Sequence, residues 1–242
     1  LEEFFYFPPR LFVENPTTKN FKDLFRLMSN SWVPFGRYIF NTVFITAVGT
    51  AGHVIIASMC AFAMSKHKFP GQNLLFGMVV LSLMFSSAVT SIPNFLIFTK
   101  LDWIDSYKSI IIPAFSSSLG LYLMKQFMDQ MVPDDILEAA RIDGAKEIYV
   151  FWKIAMPMVK PAWLTLIMFS VQGLWGMGSS IYIRREDLKT VNYALSQIMN
   201  GGIARAGAAA AAQVLMMFVP VLIFIFTQSN IIETMSTSGM KD

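Results

Sequence analysis

Along this chain the acidic and basic residues gather into clusters, and between the clusters lie five long tracts free of them. The tracts are 38–65, 69–99, 109–124, 161–183 and 206–232, holding 28, 31, 16, 23 and 27 residues. A helix rising ~1.5 Å per residue needs about 20 apolar residues to cross ~30 Å of hydrocarbon. A charge at the bilayer centre costs at least ~2.5 kcal/mol even on insertion scales, which accounts for the gaps. Four tracts meet that length outright. The third reaches it with Tyr107 at one end and Gln126-Phe127-Met128 at the other. Helices of a soluble core usually carry only about 10–14 apolar residues. The pattern therefore predicts an all-α, polytopic membrane protein with five visible transmembrane helices, at about 38–65, 72–99, 107–128, 158–183 and 207–232.

Residues inside the tracts add to this reading. Pro93, Pro113 and Pro220 each remove a backbone donor and should kink their helices. Neighbouring helices or a hydrated cavity would then satisfy the freed carbonyls, although a plain packing kink explains any one of them equally well. The run Ala206-Gly207-Ala208-Ala209-Ala210-Ala211-Ala212 lets another backbone approach closely. His53 should face the bundle with a satisfied hydrogen bond, since a polar ring is costly against lipid.

Composition agrees and excludes several classes. Of 242 residues 55% are hydrophobic and 14% charged, against about 25% charged in soluble domains, and the mean hydropathy is +0.52. Disorder needs the opposite balance. Cys60, the only cysteine, excludes a disulfide framework. Two histidines and that cysteine at unrelated positions make no metal site. No catalytic Ser-His-Asp set can be assembled. A net charge of +3 without a basic cluster gives no nucleic-acid footprint. No Gly-Lys dipeptide occurs, so the chain has no phosphate-binding P-loop of its own.

The long polar segment 129–157 carries the clearest helix signals. Pro133-Asp134-Asp135 is a helix start, the ring presetting φ and the carboxylates complementing the exposed N–H groups. Gly144 suits the left-handed residue that ends a helix. Glu138 and Arg141, three apart, are placed to pair. A second short helix should begin at Ala145 and run to Pro157 and Pro161, with Tyr149, Phe151 and Trp152 at the interface. Ala139 and Ala140 form a shallow surface that a partner groove can approach closely. By its residues alone the segment is either a docking elbow or a solvated loop helix.

Glu138-Ala139-Ala140, then Gly144, Ile154 and Pro157, resembles the EAA motif of ABC importer permeases: EAA, three residues, Gly, nine residues, Ile, one residue, Leu-Pro. Met156 stands in the Leu position, a volume-conserving change. The wider chain is similar to the second permease of maltose-type sugar importers. Phe7-Pro8-Pro9-Arg10, Asn15-Pro16-Thr17 and Lys68-Phe69-Pro70-Gly71 carry this, with Glu138 to Ala145 read as EAARIDGA. It departs at Trp175-Gly176-Met177-Gly178-Ser179-Ser180, where the family often has Trp-Asn.

The resemblance implies one importer membrane domain over 1–242. The stretch 1–37 would be extracytoplasmic and 129–157 the cytoplasmic coupling loop, with a sixth span preceding Leu1. Raw Lys and Arg counting points the other way, 11 against 8 in the two alternating sets of loops, and the motif overrides it. Glu138, Ala139, Ala140, Arg141, Asp143, Gly144, Ile154 and Pro157 would couple the chain to an ATPase dimer. ATP and Mg would bind there, and this chain would hold no cofactor. Other implied partners are a second permease subunit, an extracytoplasmic solute-binding protein, the lipid bilayer of a prokaryotic cytoplasmic membrane and a sugar. Gln172, Gly173, Trp175, Gly176 and Ser179 combine polar groups, a ring and missing side chains, as a sugar site or as glycine-mediated packing with Trp175 as filler. Arg184-Arg185-Glu186-Asp187 is an external loop, solvated or in contact with the solute-binding protein. The rival functions are an ABC permease for another solute such as amino acids or phosphate, an intramembrane enzyme, and a scaffold.

Overall fold

The computed structural model describes residues 17–29, 33–178, 180–202 and 205–238, with the side chains of 87, 88 and 229–238 outside that description. The described residues form helices and connecting turns, with no strand among them. After a short amphipathic helix, α1 (Lys19–Ser29), comes the central element, α2 (Phe35–Lys66). Its 32 residues span about 48 Å at the α-helical rise, ample for a bilayer.

α2 is built inside out. Its buried face carries Asn41, Thr42, Thr46, Gly49, Thr50, His53 and Ser58 at three- and four-residue spacing. Its uncovered face carries Ile39, Phe40, Val43, Phe44, Val48, Ile55, Ile56 and Met59. That is the arrangement lipid dictates, with polar and small residues turned to the bundle and apolar ones outward. Thr42 and Ser58 hydroxyls bond carbonyls one turn back in the helix. Gly120 sits against His53, and a Cβ there would collide with the imidazole. The ring is buried, but its Nε2 has no protein partner among the described residues, so the expected hydrogen bond is not formed there.

The second tract is two helices, α3 (Gln72–Ser82) and α4 (Ser87–Lys100), parted by a turn at 83–86. Ser82 Oγ bonds the Val79 carbonyl and Ser118 at the break. The third tract is also two, α5 (Lys108–Phe115) and α6 (Ser118–Met131). Pro113 lies inside α5, and Ser117 restarts the chain by accepting from the Gly120 N–H. Then follow α7 (Asp134–Ile142) and α8 (Glu147–Tyr149), which runs through a π-helical stretch, Val150–Ala155, into α9 (Met156–Met158). An 81° bend leads to α10 (Lys160–Trp175). The fourth tract thus gives a helix that ends at Trp175, short of residue 183. A 3₁₀ turn (Glu186–Leu188), α11 (Val191–Met199) and α12 (Ala206–Ser238) complete the order.

Among the described residues two helices are long and apolar enough to cross a membrane, Phe35–Lys66 and Ala206–Gln228, and the bent pair Glu147–Met158 with Lys160–Trp175 adds a third if taken as one span. α12 buries Ala208, Ala211 and Ala212 against α1 and α11, as its run of small residues allows. Pro220 leaves the Met216 carbonyl without its helical donor, and the Trp175 indole supplies one at 3.0 Å. A neighbouring helix therefore repairs that kink.

The Phe35 end of α2 is strapped down by residues 182–190. Asn41 Nδ2 donates to the Asp187 and Lys189 carbonyls, both at 2.8 Å, and Asn41 Oδ1 accepts from the Tyr107 hydroxyl at 2.7 Å. Tyr38 donates to Glu186 and Thr42 accepts from the Val191 N–H. Asp105 caps the strap by accepting from the Arg184 and Arg185 N–H groups, which hold its carboxyl below the usual carboxylate range. The 184–187 loop is thus tied in and not simply solvated.

Candidate functional site

The elbow 129–160 is assembled at the Lys66 end of α2. α7 begins as its sequence requires, with Pro133 in extended conformation followed by Asp134 and Asp135 in the first turn. It ends in a Schellman turn: the Ala145 N–H bonds the Ala140 carbonyl and the Gly144 N–H that of Arg141, both at 3.0 Å. Gly144 has φ +82°, a value at which a Cβ strains the backbone. The helix axis reverses there, and α8 leads back toward the membrane tract.

Leu137, 1% exposed, pins α7 to a core made with Met128, Val132, Val150, Phe151 and Phe62. The Phe62 and Phe151 rings meet edge to face at 5.4 Å. The rest of α7 faces outward. Glu138 and Ala139 are exposed and Ala140 half-buried, and Ile142 is 86% exposed. Ile136, Ile148 and Tyr149 are uncovered as well. Ala140, Asp143, Gly144, Ala145, Lys146 and Ile148 line a groove of about 580 Å³. Ile154 also lines it, whereas Pro157 is exposed farther along. The elbow thus offers a small-residue shelf with a charged edge and an apolar rim.

Arg141 does not pair with Glu138. Its guanidinium takes Glu147 across the glycine turn in a fork, Nε–Oε1 at 2.6 Å and Nη2–Oε2 at 3.3 Å. The reversal at Gly144 brings Glu147 back over α7 and leaves Glu138 on the outer face, without an ion-pair partner among the described residues. This hydrogen bond holds the Glu147 carboxyl below the ordinary glutamate value and raises Arg141. His67 Nε2 lies 3.5 Å from Glu147 Oε2. Lys66, its side chain 5% exposed, reaches the Val132 carbonyl at 2.6 Å and Asp134 at 2.8 Å. That hydrogen bond holds the Asp134 carboxyl below the usual carboxylate range. Neither Lys66 nor Glu147 stands out in the sequence. The signal for Glu147 was its place in the first turn of the second helix, and Lys66 gives none beyond ending a span.

The other candidate set is not brought together. Gln172, Gly173 and Gly176 are exposed on one face of the end of α10, and a Cβ at Gly173 would meet open space. Trp175 turns the opposite way, its N–H engaged by Met216. With Thr46, Thr50, Trp163, Val219 and Ile223 it lines an apolar cavity of about 730 Å³ between α2, α10 and α12. The Gly176 carbonyl accepts from Asn192. Ser179 lies outside the described residues. As a group these residues terminate and repair helices more than they form a polar cradle.

Comparison with known proteins places this geometry. The family described as binding-protein-dependent transport system inner membrane component matches residues 53–236. Protein LplC of Bacillus subtilis (strain 168) is 35% identical over 149 residues, covering 57% of this chain and 50% of that protein. The sn-glycerol-3-phosphate transport system permease protein UgpE of Yersinia enterocolitica is 34% identical over 133 residues, covering 55% and 47%. The chain thus aligns with about half the length of these two relatives. The arabinooligosaccharides transport system permease protein AraQ of Halalkalibacterium halodurans is 27% identical over 233 residues, covering 93% and 80%. The fold matches a chain in the crystal structure of a bacterial ABC transporter involved in the import of the acidic polysaccharide alginate, with TM-score 0.74 and 20% identity over 85% of this chain and 78% of that one. With an elbow of EAA spacing and a family match over most of its length, the chain belongs to the binding-protein-dependent transport system inner membrane components.

Proposed function

We propose that this chain is a permease subunit of an ATP-driven importer for a sugar or oligosaccharide. All five apolar tracts would cross the bilayer, the second and third as broken helices, with the elbow on the cytoplasmic side and the 182–190 strap outside. A second permease subunit would complete the pathway, and an extracytoplasmic solute-binding protein would deliver the cargo. ATP and Mg would act on a separate ATPase dimer. Differential affinity of nucleotide for the closed dimer would supply the population shift, and the elbow would convert it into movement of the spans.

The observation that carries the reading is the elbow itself. α7 presents Glu138 and Ala139 outward at the EAA spacing, and Gly144 turns the chain in the conformation the motif's glycine requires. Relatives named for arabinooligosaccharides and for polygalacturonan or rhamnogalacturonan support a carbohydrate cargo. The relatives named for glycerol phosphate extend that range to a phosphorylated polyol. Gln172 and Gly173, exposed on the end of α10, are the residues best placed to face a pathway shared with the second subunit.

The test is copurification with the ATPase, together with uptake of labelled oligosaccharides, by the wild type and by Gly144→Asp and Glu138→Lys. Both variants should insert normally and lose uptake and substrate-stimulated ATP hydrolysis. Wild-type rates in both would remove the coupling assignment.

A further inference from the structure

We propose that Lys66 is a positioning residue for coupling: it bolts the leading end of α7 to the end of α2, so that displacement of the elbow is delivered to α2. This rests on the importer reading above. The covalent route from α7 to α2 runs only through other elements. On one side it passes Pro133 to α6. On the other it passes the glycine turn, the π-helical stretch and the 81° bend before α10. α2 is joined to the elbow by no short stretch of chain, yet it is the element whose small and polar face lies at the centre of the bundle.

Lys66 ties across that gap, beside the apolar core that Phe62 of α2 shares with Leu137 of α7. A lysine with a 5% exposed side chain is costly unless its ammonium is satisfied. Here it is satisfied by the linker that starts α7. The Val132 carbonyl at 2.6 Å belongs to a residue 1% exposed, so water competes for this bond less than for the pair with Asp134. The second acceptor, Asp134, is 74% exposed and contributes little by itself. Two neighbouring ties hold the same end of α2. Ser65 donates to Asp129, which also takes Lys125, and His67 stands beside Glu147. Among the described residues only Lys66 reaches the first residue of α7 and the carbonyl just before Pro133.

The proposal is tested in the assembled importer, reconstituted with its ATPase, second permease and binding protein. Lys66→Met keeps the stem and removes the donors, and Lys66→Arg restores them. Losing the charged donor from this carbonyl predicts a loss of solute moved per ATP for Lys66→Met, with recovery in Lys66→Arg. ATPase copurification should match the wild type throughout. A second measurement separates positioning from folding. Spin labels at Lys68 and Asp135, in a Cys60→Ser background, should keep one sharp separation with and without nucleotide in the wild type. In Lys66→Met that separation should broaden or change with nucleotide. An unchanged ratio of transport to ATP in Lys66→Met overturns the proposal. So does loss of ATPase copurification that Lys66→Arg does not rescue, because Lys66 would then merely hold the fold. The importer reading fails on different grounds, if the wild-type chain does not copurify with an ATPase.

Discussion

The two ends of α2 are held in different ways. At the Phe35 end, Asn41 is fully buried and its amide grips two backbone carbonyls of the strap and the Tyr107 hydroxyl. At the Lys66 end, the partners are mostly carboxylates that stand on other helices and reach solvent: Asp134, Asp129 and Glu147. Backbone acceptors on a single strap fix one geometry. Ion pairs at a helix surface cost little to loosen and re-form. The first end is stapled throughout; at the second, the joint, exposed pairs that can loosen surround one bolt, the bond from Lys66 to the Val132 carbonyl.

The largest effect should come from breaking the staple. Asn41→Leu keeps the volume and takes the amide donor from the Lys189 carbonyl, while the Asp187 carbonyl and the Tyr107 hydroxyl are left with Arg37. At about 1–3 kcal/mol for an unsatisfied group, we expect a loss of about 1–3 kcal/mol. Thermal unfolding in detergent measures it. A variant within ~0.5 kcal/mol of the wild type would mean that the strap docks without Asn41, and the contrast between the ends would vanish.

Next in size is the turn inside the joint. At φ +82°, Gly144→Ala forces a Cβ into the left-handed region, at about 1–2 kcal/mol. The expected result is reduced uptake with smaller loss than Gly144→Asp and unchanged thermal unfolding of the Asn41 end, followed by hydrogen exchange.

How much of this could be read along the chain depends on the range of the interaction. The charge-free tracts are local in sequence and mark the apolar segments well. The polar stripe of α2 is also local, since residues 41, 42, 46, 50, 53 and 58 follow helical spacing, although only His53 attracted notice. The elbow's start and stop are dictated within a few residues by Pro133 and Gly144. What resisted reading was long-range. Arg141 has an eligible partner one turn back in Glu138, and only the reversal of the chain at Gly144 makes Glu147 the better one. Trp175 resembles a ring platform until Pro220, 45 positions on, claims its N–H through the Met216 carbonyl. The breaks at 83–86 and 116–117 lie in tracts long enough to be single helices, and serine runs are a weak signal for interruption.

A third prediction uses pH to probe the joint alone. Glu147 is held below its ordinary value by the hydrogen bond from Arg141. Its folded state therefore favours the charged carboxylate. The stabilisation is complete above the ordinary glutamate value of ~4.3 and is lost as pH falls through the lowered one. Both partners are partly exposed, so the pair is worth less than about 1 kcal/mol. Hydrogen-exchange protection over 144–150, taken against the intrinsic rate at each pH, should fall on acidification, and Glu147→Gln should show the lower protection already at neutral pH. An unchanged profile in Glu147→Gln would show that the Schellman turn holds the elbow without the ion pair.

The smallest effect belongs to Asp134→Asn, and its smallness is informative. The amide oxygen still accepts from Lys66, and the lost charge sits on a side chain 74% exposed, where pairs contribute about 0–1 kcal/mol. We expect a stability change within ~0.5 kcal/mol and near-wild-type transport per ATP, in contrast to Lys66→Met. If Asp134→Asn were as damaging as Lys66→Met, the working contact would be the exposed ion pair and not the buried Val132 carbonyl. High salt should then weaken coupling, since solvent-exposed charges are screened within ~8–10 Å at ordinary ionic strength. If the two variants separate as expected, coupling should be less sensitive to salt, because the bond that matters then joins a lysine side chain 5% exposed to the carbonyl of a residue 1% exposed.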